Sequence, residues 1–283
     1  LLSEKQLKEE LNRLLEKNEN KTRQNITRET FLNYLEKSHS IKDYYGDNFE
    51  SQIDNCETQI KKVLFGQQTA VETVLEQIRI KKLFDDYTTP LTLFFIGSSG
   101  VGKTFLGELL AQHLYGNKLK IILGELFKER HSVSNLIGSP KGYVDSDKGS
   151  DLFEYVKYNP ESVLIFDEIE KAHPDFYDVL LNIIDKGLIT DKDGDIIDFR
   201  RCLIIFTSNL GADLTQLPPI GYTKQNQNSQ LIHEKSVKKV FKPEFINRID
   251  EFVYFENLNN FEQILNLEIE KIKNTLKQKN IEI

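Results

Sequence analysis

Residues Gly97-Ser98-Ser99-Gly100-Val101-Gly102-Lys103-Thr104 match the pattern GxxxxGK[ST] in full. These residue types suit an anion. Glycines let the backbone curl until several N–H groups face one phosphate. A helix opening at the end of the loop adds its partial positive charge. Lys103 then reaches the β- and γ-phosphates, and Thr104 ligates Mg²⁺. A second constellation ends an apolar run at Asp167-Glu168. Asp167 is placed to hold Mg²⁺ through water, and Glu168 to orient and activate an attacking water. Asn209 follows another apolar run; a polar residue there can hydrogen-bond the γ-phosphate or the water. On composition alone, a plain turn before Gly211 is the simpler account of Asn209.

Such residues need a sheet edge to hold them. Short apolar runs occur at Leu91–Ile96, Leu119–Leu123, 162–166, 202–207 and 252–255. Runs of this length suit strands covered on both faces. Their alternation with helical stretches predicts a parallel α/β sheet. The phosphate loop directly follows the first run and opens a helix reaching about Leu114. Upstream, Val71, Val74, Leu75 and Ile78 show helical spacing, as do Leu7, Leu11, Leu14 and Leu15, and then Phe31, Tyr34 and Leu35. Residues 17–24 read as a linker and 40–50 as a loop. The Gln- and Asn-rich stretch 224–230 reads as a mobile loop. Phe261, Leu265, Ile269, Ile272 and Leu276 form one amphipathic stripe, and 280–283 begins what reads as a strand. Asp191-Lys192-Asp193-Gly194-Asp195 resembles a calcium loop only superficially. Ile196 and Cys202 stand where that motif needs Gly and Glu, so a hairpin with an Asp-Gly turn is expected.

Composition narrows the function. The chain has 283 residues and a net charge of -7, with paired lysines but no sustained basic run, which disfavours nucleic acid. Cys56 and Cys202 fit no metal or redox spacing and read as reduced thiols of a cytoplasmic protein. No apolar run approaches the ~20 residues of a membrane span, and the first residues are not a signal peptide. The chain begins at Leu1 and has no Met, which suggests an excised fragment.

Taken in order, the motifs resemble the AAA+ superfamily and, more closely, the Clp unfoldases. The likeness runs from about Val63 to Glu256. Leu64-Phe65-Gly66-Gln67 looks like the family's adenine-pocket motif. Leu136-Ile137-Gly138-Ser139-Pro140-Lys141-Gly142-Tyr143-Val144 looks like its substrate-gripping pore loop. Asp167-Glu168-Ile169-Glu170-Lys171-Ala172-His173-Pro174 is nearly its extended Walker B signature. Thr207-Ser208-Asn209-Leu210-Gly211 resembles sensor 1, and the stretch from Phe241 to Asp250 resembles the box carrying the arginine finger, here Arg248. The resemblance is to the second module of two-module Clp proteins, most like ClpA. Pro219-Ile220-Gly221-Tyr222 looks like the tripeptide loop that docks on a ClpP peptidase ring, with Tyr222 in place of the usual Leu or Phe.

The resemblance implies a P-loop NTPase fold with a five-stranded parallel sheet flanked by helices, and an incomplete helical small domain at the C-terminus. Residues 1–50 are then the tail of a preceding module and linker, 51–257 the large α/β subdomain, and 258–283 the start of the small one. It implies ATP and Mg²⁺ as cofactors, with adenine near Leu64 and Phe65. The nucleotide contacts are Gly97, Ser98, Ser99, Gly100, Val101, Gly102, Lys103, Thr104 and Asp167. Glu168, Asn209 and Arg248 are the catalytic residues, Arg248 acting on a neighbouring subunit. Gly142, Tyr143 and Val144 grip substrate, and Ile220, Gly221 and Tyr222 dock a peptidase. The implied partners are five more copies in a hexamer, a ClpP-type ring, protein substrates and an adaptor. A ClpB-type disaggregase and a non-hydrolysing nucleotide-gated scaffold are the alternatives. The chain departs from the family at Asp145, where the pore loop ends in Gly. It departs again after the second strand, where Ile121-Ile122-Leu123-Gly124-Glu125 lacks the family's Asp. The sensor-2 arginine lies beyond Ile283 in the family, which implies that this stretch alone hydrolyses ATP poorly.

Overall fold

A computed structural model describes residues 42–84, 86–137, 151–191, 194–211 and 225–257, with 265 and 269. The chain divides into two compact units, Leu1–Gln52 and Ile53–Ile283. The second contains the sheet. Its strands are β1 (Leu91–Ile96), β2 (Leu119–Leu123), β3 (Val163–Asp167), β4 (Leu188–Thr190), β5 (Ile196–Asp198), β6 (Leu203–Ser208) and β7 (Glu251–Tyr254). The helices are α1 (Lys42–Val63), α2 (Gln68–Leu83), α3 (Lys103–Leu114), α4 (Arg130–Ile137), α5 (Asp151–Tyr158), α6 (Pro174–Lys186), α7 (Gln225–Val240) and α8 (Pro243–Ile246).

The five expected strands form one sheet in the order β2-β3-β6-β1-β7, every pair parallel. Each lies within one residue of its apolar run. Strands β1 and β6 are buried along their whole length, as a two-sided sheet demands. Register then does the positioning. Ile96 pairs with Ser208, Phe166 with Phe206, and Leu123 with Asp167. The carboxyl ends of β1, β3 and β6 are therefore flush, and whatever follows them shares one edge. In open parallel sheets that edge is where ligands bind.

With neither Met nor Trp available, phenylalanines fill one side of the sheet. Phe206 stands within 5.4 Å of Phe166 and 5.2 Å of Phe245, centroid to centroid. Phe94 meets Phe241 edge-on at 5.4 Å. Helix α6 supplies Phe176, Tyr177, Leu180, Ile183 and Ile184 to this core. Pro174 starts that helix, His173 caps it by accepting from the Asp175 N–H, and Gly187 ends it in a left-handed turn. On the opposite face α3 lies close to the sheet, because Gly107 presents no side chain to Ile165 or Ile205.

Two expectations need correction. Residues 40–50 are not all loop, since α1 begins at Lys42. Ile53, Cys56 and Ile60 form a buried stripe at helical spacing. Once such a helix is nucleated, each residue added upstream costs little. Similarly, 225–230 is the first part of α7 rather than a loop. Buried His233 and Val237 anchor that helix, and no Gly or Pro interrupts it. The expected hairpin is present as the antiparallel pair β4 and β5, with Gly194 at φ 90° in its turn. Both cysteines are buried and free. Burial pushes the Cys56 thiol up to about 12 and Cys202 to about 11, which leaves both unreactive. The linker at 17–24, the helical stretches before residue 42 and the C-terminal strand lie outside the described residues. Of the C-terminal stripe only Leu265 and Ile269 are described, both helical and exposed. No helix among the described residues is long and apolar enough to cross a membrane.

Candidate active site

At the flush edge lies a cavity of about 290 Å³ lined by Ser99, Gly100, Gly102, Lys103, Thr104, Phe105, Asp167, Glu168, Thr207 and Asn209. Strand β1 delivers the loop 97–102, β3 the two acids, and β6 the pair Thr207 and Asn209. Gly102 takes φ 102° and caps α3, a conformation that a side chain at this position would strain. A Cβ there would also lie 2.6 Å from Leu64 Cδ1, so the loop rests on Leu64 from below. A Cβ on Gly97 would lie 2.8 Å from Phe255 Cβ. Ser98 Oγ donates to Asn257 Oδ1 at 2.7 Å.

Lys103 is only 7% exposed. Its ammonium donates to the carbonyls of Gly97 and Ser98 at 2.8 Å each and to Asn209 Oδ1 at 2.7 Å. Burial lowers its pKa to about 8, against the opposing pull of Asp167, Glu170 and Glu168. Thr104 Oγ1 donates to Asp167 Oδ1 at 2.9 Å, and Thr207 Oγ1 donates to the same oxygen at 2.5 Å. A hydroxyl and a carboxylate at hydrogen-bond distance are hard oxygen donors of the kind a small divalent cation takes.

Glu168 is held from every side. Its N–H donates to Thr207 Oγ1 at 3.0 Å. Asn209 Nδ2 donates to Oε1 at 3.0 Å, and Lys171 Nζ to Oε2 at 2.5 Å. Its backbone is left-handed, φ 51° and ψ 49°, in a residue that is not glycine. Such a conformation costs about 1–3 kcal/mol and persists only where the surroundings impose it.

A family model described as AAA domain (Cdc48 subfamily) matches residues 89–252, which span β1, β2, β3 and β6, the start of β7 and the cavity at their edge. The chain belongs to the AAA domain family. A Torsin model also matches residues 40–131. The chaperone protein ClpB of Rickettsia bellii is 39% identical over 232 residues, covering 80% of this chain and 27% of that protein. The Clp protease ATP-binding subunit ClpC of Staphylococcus aureus is 37% identical over 241 residues, 81% of this chain and 30% of that protein. The S. cerevisiae Hsp104:casein complex in its extended conformation superposes with a TM-score of 0.73 at 30% identity, over 87% of this chain and 43% of that one. The chain thus spans less than a third of the length of these curated relatives.

Against the Clp-type pattern, the structure gathers Ser99, Gly100, Gly102, Lys103, Thr104, Asp167, Glu168 and Asn209 around one cavity. Gly97, Ser98 and Val101 complete the loop behind it. Leu64 is buried under that loop, and Phe65 is partly buried. Arg248 is not brought to this cavity. It is 53% exposed and pairs through Nε with Asp185 on α6 at 2.6 Å. Gly142, Tyr143 and Val144 lie outside the described residues, as do Asp145 and Ile220, Gly221 and Tyr222.

Two positions that stand in motifs of the sequence reading, but were given no role of their own there, take part in the site. Gln67, 2% exposed, is an amide clip. Its Nε2 donates to the carbonyls of Val101 at 3.2 Å and Glu256 at 2.8 Å, and its Oε1 accepts from the Glu256 N–H at 3.0 Å. It ties the phosphate loop to the chain leaving β7. The other is Gly124, which stands one residue after Leu123, where the Clp acid is missing. A Cβ on Gly124 would lie 2.5 Å from the Glu168 carbonyl oxygen and 3.2 Å from that of Asp167. Gly124→Ala is therefore expected to displace both acids and lower ATP turnover about tenfold or more. Melting should report a loss of about 1–3 kcal/mol. Steady-state ATPase rates beside thermal denaturation check this.

Proposed function

We propose that this chain is the ATP-hydrolysing module of a ring-forming protein unfoldase, which threads polypeptides into a ClpP-type peptidase. The observation that carries the ATPase part is the convergence of Lys103, Thr104, Asp167, Glu168 and Asn209 on one cavity. Lys103 and the N–H groups of the loop bind the phosphates, with adenine against Leu64 and Phe65. Thr104 directly and Asp167 through water would hold Mg²⁺, which supplies charge neutralisation at the β- and γ-phosphates. Glu168 takes the proton of the attacking water, and Asn209 orients Glu168 while sensing the γ-phosphate. Arg248, exposed on its own chain, reaches the site of the next copy in a homohexamer once it leaves Asp185. A supplied arginine is worth about 10³–10⁵ in rate.

Residues 51–257 act as the large subdomain, 258–283 as the start of a small one, and 1–50 as the approach from a preceding module. Gly142, Tyr143 and Val144 grip substrate in the channel, and the β4–β5 hairpin lines it as a second loop. The protein works in the cytoplasm. Ile220, Gly221 and Tyr222, between β6 and α7, dock the peptidase, with an adaptor delivering substrates. Likeness to ClpC supports this coupling. Likeness to ClpB and to Hsp104, whose structure holds casein, supports a second reading as a disaggregase without a peptidase.

One experiment separates the two. The full-length protein is mixed with a ClpP ring and labelled casein, with and without ATP, as wild type, Tyr143→Ala and Tyr222→Ala. ATP-dependent casein degradation lost in Tyr222→Ala supports peptidase coupling. Tyr143→Ala is expected to hydrolyse ATP normally and degrade nothing. If the wild type never binds the ring yet rescues aggregated protein, the disaggregase reading replaces the peptidase one.

A further inference from the structure

Two carboxylates line the cavity and serve the mechanism above, and a third stands behind Asn209. The third, Glu170, stands on the single helical turn Ile169–Lys171 just after the acid pair. Its Oε1 accepts from the backbone N–H of Asn209 at 3.0 Å. Its Oε2 is buried without a hydrogen-bond partner among the described residues. The turn itself is pinned: the Tyr177 hydroxyl, within hydrogen-bond distance of two carbonyls, lies 2.9 Å from that of Ile169 and 3.2 Å from that of Ala172.

Asn209 is the hub of the site. Its side chain accepts from Lys103 and donates to Glu168. Both bonds depend on where the Asn209 backbone sits, at the point where β6 has ended and sheet pairing no longer restrains it. Glu170 is the side chain that holds it there.

We propose that Glu170 is a positioning residue for ATP hydrolysis, fixing the Asn209 backbone so that one amide bridges the phosphate-binding Lys103 and the base Glu168. A carboxylate accepting from an N–H makes a stronger bond than a neutral acceptor does. Keeping one oxygen buried and unpaired is costly, and such a cost is retained where it serves the site. The proposal rests on the ATPase reading of the cavity.

The test compares Glu170→Ala and Glu170→Gln in the full-length ring, alone and with Asn209→Ala. Affinity is measured with a fluorescent ATP analogue, and turnover separately. Glu170→Ala is expected to lower kcat about 10–100-fold while the nucleotide Kd moves by less than about threefold. Glu170→Gln keeps an acceptor oxygen and should recover most of kcat. In the Asn209→Ala background, Glu170→Ala should cost less than about twofold more, because Glu170 acts through the Asn209 side chain that this background already lacks. Equal damage from Gln and Ala, or losses that multiply in the double variant, would overturn the proposal. A wild-type ring that binds ATP but never turns it over sinks the ATPase reading instead. The bond is then judged by hydrogen exchange: the Asn209 amide should lose protection in Glu170→Ala and keep it in Glu170→Gln, and unchanged protection in Glu170→Ala would refute it.

Discussion

Glu168→Gln is expected to bind ATP as tightly as wild type and to hydrolyse it about 10²–10⁴-fold more slowly, the range a positioned general base supplies. The isosteric amide keeps a carbonyl oxygen for Lys171 or Asn209 but cannot accept the proton of water. Affinity should survive because the proposed phosphate contacts are Lys103 and the loop N–H groups, not Glu168. Fold should survive because Gln keeps the backbone bond to Thr207 Oγ1. A contrasting variant isolates the stored strain. Glu168→Gly is equally inactive, but it relieves the left-handed backbone at φ 51° and is expected to offset about 1 kcal/mol or more of the side-chain bonds it loses. Single-turnover hydrolysis beside equilibrium binding decides the matter. Turnover within tenfold of wild type in Glu168→Gln would remove Glu168 from the role of base.

Lys103→Met should weaken ATP binding by about 10²-fold or more, since a charge-assisted bond is worth about 1.5–3 kcal/mol and a bound triphosphate would receive more than one. The ammonium is held by the carbonyls of Gly97 and Ser98 and by Asn209. Phosphate competes with those partners, so binding is expected to loosen Lys103 from Asn209.

The pH dependence follows from burial. The pKa of Lys103 falls from the ordinary 10.5 to about 8. Phosphate binds the charged form, so ATP affinity should fall as pH rises through about 8. The contribution to stability runs the other way. Between about 8 and 10.5 the unfolded chain holds a proton that the folded chain has released. The fold therefore gains stability from this group as pH rises across that window. Lys103→Met should abolish both slopes. Titration calorimetry and denaturant melts between about pH 7 and 10 would measure them. A wild-type affinity that is flat across that range would show that Lys103 stays charged throughout.

Much of this site was legible in the residue order alone. The phosphate loop needs neighbours in sequence, since one curl of backbone must present adjacent N–H groups. The same holds for Asp167 and Glu168 at the end of an apolar run. The five strands were legible for a related reason: a strand buried on both faces can carry almost nothing polar until it reaches the edge. Helices were read less well. The start of α1 is hidden by a polar stretch, and the Gln- and Asn-rich opening of α7 looks like loop. In both, the anchoring apolar residues lie further along.

The partnerships were decided by tertiary structure. Nothing in the order of residues says that Phe166 pairs with Phe206 or Ile96 with Ser208. Yet that register alone makes three strand ends flush and turns three separate motifs into one cavity. Gln67 reaches Val101 and Glu256, Gly124 lies under Glu168, and Glu170 holds the Asn209 N–H. Each is a bond to distant backbone or a close approach to it. Backbone atoms are the same in every residue, so such contacts leave no pattern in residue type. The sequence therefore determined which chemistry this protein carries, and packing of the sheet and its connecting turns decided which groups hold that chemistry in place.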